Sequence, residues 1–159
     1  MSATVRILAC GAIDRGDDAA ALLAVRRLPV ATRRAARIEE VGQLSAEHLL
    51  GPAGDRTVVV DCVHGIPPGS ILELPLAELP AVEASFPVTS THGLSPGGAV
   101  GLAAALGTIG PRDRFLGIGG ESFGAGDRPS PAVADHLGEL VARLIRLAQG
   151  AAEVDEPCA

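Results

Sequence analysis

Four polar side chains stand where this chain changes from apolar runs to loops. Asp17 and Asp18 lie side by side in CGAIDRGDDAAALLAV (10–25), between an apolar run ending at Cys10 and the start of a helical pattern. Asp61 directly follows Val58, Val59 and Val60, and His92 lies in Thr-Ser-Thr-His-Gly ahead of a stretch of small residues. Asp18, Asp61 and His92 supply two carboxylates and one imidazole. That set suits a divalent cation with coordination positions left open for a substrate. Each residue read singly also has a plainer explanation. Acidic residues favour the first turn of a helix, Asp61 can accept loop amides, and His92 can hydrogen-bond within its own loop. A carboxylate placed after three valines is costly to desolvate, and the three positions fall at comparable points along the chain.

The elements that must position these residues alternate between strand and helix. Thr4–Cys10 reads as a buried first strand. Asp18–Leu28 reads as a helix carrying Leu22, Val25 and Leu28 on one side. Arg37–Val41 is a second strand, and Ser45–Leu50 a short helix with Ser45 as N-cap. RTVVVDCV (56–63) has the continuous β-branched run of a central strand covered on both faces. Gly-Ile-Pro-Pro-Gly (65–69) is a turn and Ser70–Leu74 a further strand, whereas Ala77–Phe86 fits neither pattern. Pro96–Leu106 reads as a small-residue helix ending at Gly107, and 114–120 as another strand. Ser130 then caps a final helix with Pro131 in its first turn and Val133, Leu137, Leu140, Val141, Leu144 and Ala148 on one face. This order predicts a three-layer α/β sandwich: one open, twisted, mostly parallel sheet of about five strands with helices on both faces. Residues 1–149 are expected to form one domain and 150–159 a disordered tail. In such sheets, sites form beyond the carboxyl ends of the strands, where Asp18, Asp61 and His92 all fall.

Composition removes several classes of function. The net charge of −6 argues against nucleic acid as a partner. No apolar run approaches the ~20 residues of a membrane span, and the N-terminus lacks a signal-like pattern, so the protein is expected in the cytoplasm. Three scattered Cys give neither zinc spacing nor a disulfide framework. Cys10 and Cys62 read as buried small hydrophobes, and His48 and His136 as helix-surface residues. His64, three residues after Asp61, can reach the same cleft but is read first as a loop residue. All 13 basic residues are Arg. The absence of Lys excludes a phosphate-accepting receiver domain and a Walker-type phosphate loop, both of which need one. Gly120-Glu121-Ser122-Phe123-Gly124 matches the G-x-S-x-G elbow of serine hydrolases. The elbow requires a helix immediately after its Ser, and here Ala-Gly-Asp-Arg-Pro-Ser intervenes, so a Ser122 hydrolase is a minor alternative.

Taken in order, these segments resemble the hydrogenase maturation proteases. GAIDRGDDAAALLA resembles their G-N-x-L-x-G-D-D/E-G-x-G signature, and VVVDCVHGIPPGSI their central strand, Asp and Pro-Gly turn. TSTHGLSPGGAVGLAAALG resembles their S/T-x-H segment leading into a helix, and FLGIGGESFGAGDRPSPAVADHLGELV their closing strand, loop and helix. The likeness runs colinearly from Thr4 to about Gln149. It implies an endopeptidase that removes the C-terminal extension of a [NiFe]-hydrogenase large-subunit precursor once nickel has been inserted. It also implies that Asp18, Asp61 and His92 serve as catalytic and nickel-interacting residues, with the nickel supplied by the precursor. Asp18 is then expected to face the cleft, with Asp17 supporting the loop or the helix start. The glycines of the first loop would let the substrate approach closely. The chain is expected to act as a monomer. Ala12 replaces the family's usual Asn and removes a loop-bracing hydrogen bond; a non-catalytic metal-binding maturation chaperone or inactive relative is the alternative this suggests.

Overall fold

The computed structural model describes residues 4–51, 54–85 and 95–149. His92, Phe86 and the tail 150–159 lie outside the described residues.

Five strands form one sheet: β1 (Val5–Cys10), β2 (Ala36–Val41), β3 (Arg56–Val63), β4 (Ile71–Pro75) and β5 (Arg114–Gly119). Their order across the sheet is β2-β1-β3-β5-β4. All neighbours run parallel except β4, which pairs antiparallel with β5 at the edge. β1 is buried along its whole length, as are the first five residues of β3 and the last five of β5. These central strands carry the most continuous apolar runs, as burial of both faces demands.

The alternation of side chains along each strand divides the core in two. On one face Ile7, Ala9, Val58, Val60, Leu116 and Ile118 pack beneath α1 (Ala20–Arg26) and α5 (Pro131–Gln149). The α5 contribution comes from Val133, Leu137, Leu140 and Leu144, the face its sequence periodicity marks out. On the other face Leu8, Cys10, Val59 and Phe115 meet Leu44, Leu49, Leu76 and Leu79, together with Ala99, Val100 and Ala103 of α4 (Pro96–Ala105). The expected three layers are therefore present.

Two short helices were not evident from periodicity. α2 (Val30–Ala35) buries only Thr32 and leaves Val30 exposed, so it has no apolar stripe to read. The ambiguous stretch resolves into a 3₁₀ turn at Leu76–Glu78 and α3 (Leu79–Ala84), with Pro80 in its first turn. One further expectation shifts slightly: the first helix begins as a 3₁₀ turn at Gly16–Ala19.

Candidate functional site

The acidic pair opens into two different environments. Asp17 is fully buried. Its carboxylate accepts the amides of Glu121 (2.8 Å), Ser122 (3.0 Å) and Ser130 (2.6 Å) and the Ser130 hydroxyl (2.9 Å). Burial alone would raise its pKa, but these donors outweigh that cost and hold the carboxyl below its ordinary value. Asp17 thus ties the loop after β1 to the loop after β5 and to the start of α5. Ser130 in turn caps α5 by accepting the Val133 amide at 3.4 Å.

Asp18 faces the other way and is partly exposed. Burial lifts its pKa above the usual carboxylate value, with the Ala12 amide, Arg15 and His64 pulling it down. Asp61, on the neighbouring strand β3, is also half-buried and is pushed up to about 7. Desolvation is the main cause, followed by the negative field of Asp18; the Cys62 amide, 2.8 Å from Asp61 Oδ1, only partly offsets them. Glu83 adds to the repulsion, although its own carboxylate accepts the Gly97 amide at 2.8 Å and so pins the start of α4. Asp18 and Asp61 therefore lie within electrostatic reach of each other at the carboxyl end of the sheet, and burial opposes the charge of both. A cation placed between them would remove both the burial cost and the mutual repulsion. Among the described residues no group of three His, Cys, Asp or Glu is arranged to hold a metal. His92, the expected third member, lies outside them.

The loop that presents Asp18 is braced by backbone bonds. Ala12 N–H donates to the Asp18 carbonyl (3.2 Å), Gly16 to Asp127 (3.0 Å), Asp17 to Ser122 (2.7 Å) and Gly126 to Asp14 (2.7 Å). Two glycines of this loop make room for the protein's own backbone. A Cβ on Gly11, at φ +131°, would sit 1.9 Å from the Asp18 carbonyl oxygen. One on Gly16, at φ +58°, would sit 2.4 Å from that of Ser122. Both positions also need the positive φ that only glycine takes at little cost.

The remaining candidates fall into supporting roles. The His64 ring is exposed and stacks on Phe123, with centroids 3.8 Å apart and planes at 27°. It lies within electrostatic reach of Asp18. Cys10 is buried, as expected, but Cys62 is only partly so. Burial first, and then the nearby carboxylates, push both thiols above their ordinary value, so neither supplies a thiolate. Cys62 packs on the α1/α5 side and Cys10 on the other, consistent with side-chain alternation along the strands. His48 is half-buried and takes the Ser45 amide on Nδ1 at 3.0 Å, so it belongs to its turn rather than to the open surface. His136 is exposed on α5.

The elbow geometry is absent at Ser122. β5 ends at Gly119 and α5 starts only at Pro131, and the Ser122 hydroxyl donates to Asp127 at 3.3 Å. A groove of about 310 Å³ lies at the opposite end of the sheet, lined by Leu49, Thr57, Gly107, Asp55 and Asp113 among others. Both its carboxylates accept backbone amides, Asp55 from Thr4 and Asp113 from Thr57 and Gly110.

The fold that carries this pair of carboxylates is that of the [NiFe]-hydrogenase maturation proteases. The chain superposes on the [NiFe] hydrogenase maturation protease HybD from Thermococcus kodakarensis with a TM-score of 0.68 at 23% identity, covering 91% of this chain and 99% of that one. It is similarly close to the hydrogenase maturating endopeptidase HybD from E. coli (TM-score 0.65, 19% identity, 94% of both chains). The endopeptidase HycI from Escherichia coli gives 0.67 at 22% identity over 89% of both. No protein-family model and no curated protein matches the sequence. At these identities the likeness establishes the fold.

Proposed function

We propose that the protein is an endopeptidase that removes the C-terminal extension of a [NiFe]-hydrogenase large-subunit precursor after nickel insertion, and that it recognises the inserted nickel. The observation that carries this reading is the placement of Asp18 and Asp61 within electrostatic reach of each other, in a fold shared with proteins named as hydrogenase maturation proteases. In this reading Asp18 and Asp61, with His92, ligate nickel already held by the precursor. Two carboxylates and one imidazole leave coordination positions for the precursor's own ligands. The donor set contains no thiolate, so the free protein is expected to bind nickel weakly. Metal coordination supplies polarisation of the scissile carbonyl or activation of water. Asp17 holds the geometry: it fixes the loop that aims Asp18 and never faces the substrate.

The precursor is the expected partner, acted on by a monomer in the cytoplasm. Among the described residues no helix is long and apolar enough to cross a membrane. Incubation of the protein with a nickel-loaded large-subunit precursor, followed by mass spectrometry of the C-terminus, tests the reading. Release of a C-terminal peptide supports it. Stable binding of the precursor without release would instead identify a maturation chaperone.

A further inference from the structure

A stacked pair of rings stands beside the carboxylates at the carboxyl end of the sheet. The chain has three Phe and no Trp or Tyr. Phe115 is in the core, and Phe123, half-buried in the loop after β5, is the one phenyl ring among the described residues that reaches the surface. The exposed imidazole of His64 lies on it, with centroids 3.8 Å apart. Both rings are held from below. Gly120 N–H donates to the Val63 carbonyl at 3.0 Å, which joins the loop of Phe123 to the residue before His64. A Cβ on Gly120 would come within 2.7 Å of the Phe123 ring, so the glycine lets the phenyl settle onto the backbone. Asp17 N–H donates to the Ser122 carbonyl at 2.7 Å, and its carboxylate accepts the Glu121 and Ser122 amides at 2.8 and 3.0 Å. These bonds tie the residue before Phe123 to the residue before Asp18. His64 follows Asp61 by three positions, about 10 Å of extended chain. Hydrogen bonds and chain length thus fix the stacked pair next to the strand ends that present Asp18 and Asp61.

The imidazole has no other use within the protein. Among the described residues His64 forms no hydrogen bond and no ion pair. The stack occupies one face of its ring and leaves both nitrogens open at the edge. A neutral imidazole carries one donor and one acceptor there, which match the carbonyl and the N–H of an extended peptide. We propose that His64, held flat by Phe123, binds the main chain of the precursor's C-terminal segment, about three extended residues along from the group seated between Asp18 and Asp61. This rests on the reading of the protein as an enzyme acting on such a precursor. The stack fixes the ring before the substrate arrives, so less side-chain freedom is lost on binding. The contact is to main-chain atoms, so it aligns the segment without selecting its side chains.

Steady-state cleavage of nickel-loaded precursor by the full chain tests the proposal. His64→Ala removes an exposed ring that makes no hydrogen bond among the described residues, so the domain keeps its fold, as a thermal melt checks. It should raise KM about tenfold, the worth of one hydrogen bond. It should leave kcat within about twofold, since a contact equally strong in ground and transition states acts on KM alone. Phe123→Leu keeps an apolar side chain over Gly120 but loses the stack, and should raise KM a few-fold. The same substitution in a His64→Ala background should add nothing, because Phe123 acts through the His64 ring. An unchanged KM in folded His64→Ala overturns the proposal, as does a fall in kcat without a rise in KM, or additive effects of the two substitutions. If the unmodified protein binds the precursor without cleaving it, the endopeptidase reading fails by itself, and the same tenfold difference, read in Kd, still decides the role of His64.

Discussion

Asp17 and Asp18 are adjacent in sequence and opposite in purpose. Asp17 is buried and receives four hydrogen bonds, which pull its pKa down. Asp18 is partly exposed, and with Asp61 it forms a centre whose charges are resisted by burial and by each other. One carboxylate is spent on holding loops together. Burial opposes the charge of the other two, Asp61 most strongly. The difference shows that an acidic pair at a strand–helix junction is not one feature but two.

Mutation separates the two roles. Asp17→Ala leaves the amides of Glu121, Ser122 and Ser130 and the Ser130 hydroxyl without their acceptor, and should cost about 3–5 kcal/mol of stability in denaturant melts. Asp18→Ala should leave stability within about 1 kcal/mol, because no favourable interaction of comparable strength is lost. It should still reduce cleavage of nickel-loaded precursor by ~100-fold or more, given that even outer partners of metal ligands are worth about 10–100-fold. Equal destabilisation by the two substitutions would erase the distinction.

The two environments also predict opposite pH signs. Asp17 has a folded pKa below its unfolded value of 3.8, so its contribution is present above that pH and is lost as pH falls through the folded pKa. Asp61 has a folded pKa raised from 3.8 to about 7. Its relative contribution is full below 3.8 and is lost as pH rises through about 7, on the order of a few kcal/mol. Asp61→Asn should therefore stabilise the metal-free protein at pH 8 and change it little at pH 4, as read by thermal melts at the two values. A uniform shift at both would remove Asp61 from the strained centre.

Smaller effects are expected where the chemistry is absent. Cys10→Ala should cost about 1–2 kcal/mol through lost packing, and Ser122→Ala and Cys62→Ala less. All three should keep cleavage within a few-fold as long as they fold. Loss of activity in a folded Ser122→Ala protein would return the serine to consideration.

Much of the sheet was legible because its signals are local. The run Val58–Val60 marks a central strand, and the spacing from Val133 to Leu144 marks the buried face of α5. Asp61 stood out in sequence because it follows that run directly, and Asp18 because it belongs to an acidic pair at a strand–helix junction. The role of Asp17 was open in sequence, since its partners lie 104 to 113 residues away. Glu83 gave no signal at all: it lies in a Pro-punctuated stretch, and its bond to Gly97 exists only once α3 and α4 meet. The crowding at Gly11 and Gly16 gave no signal either, because the atoms that crowd them come from Asp18 and Ser122.

The most direct test of the central claim compares two matched preparations of the same large-subunit precursor, one loaded with nickel and one without, cleaved by the same preparation of this protein. If Asp18, Asp61 and His92 read the metal held by the substrate, only the loaded precursor is processed, and His92→Ala slows that processing. Equal rates on both precursors would contradict the account and leave a peptidase indifferent to nickel.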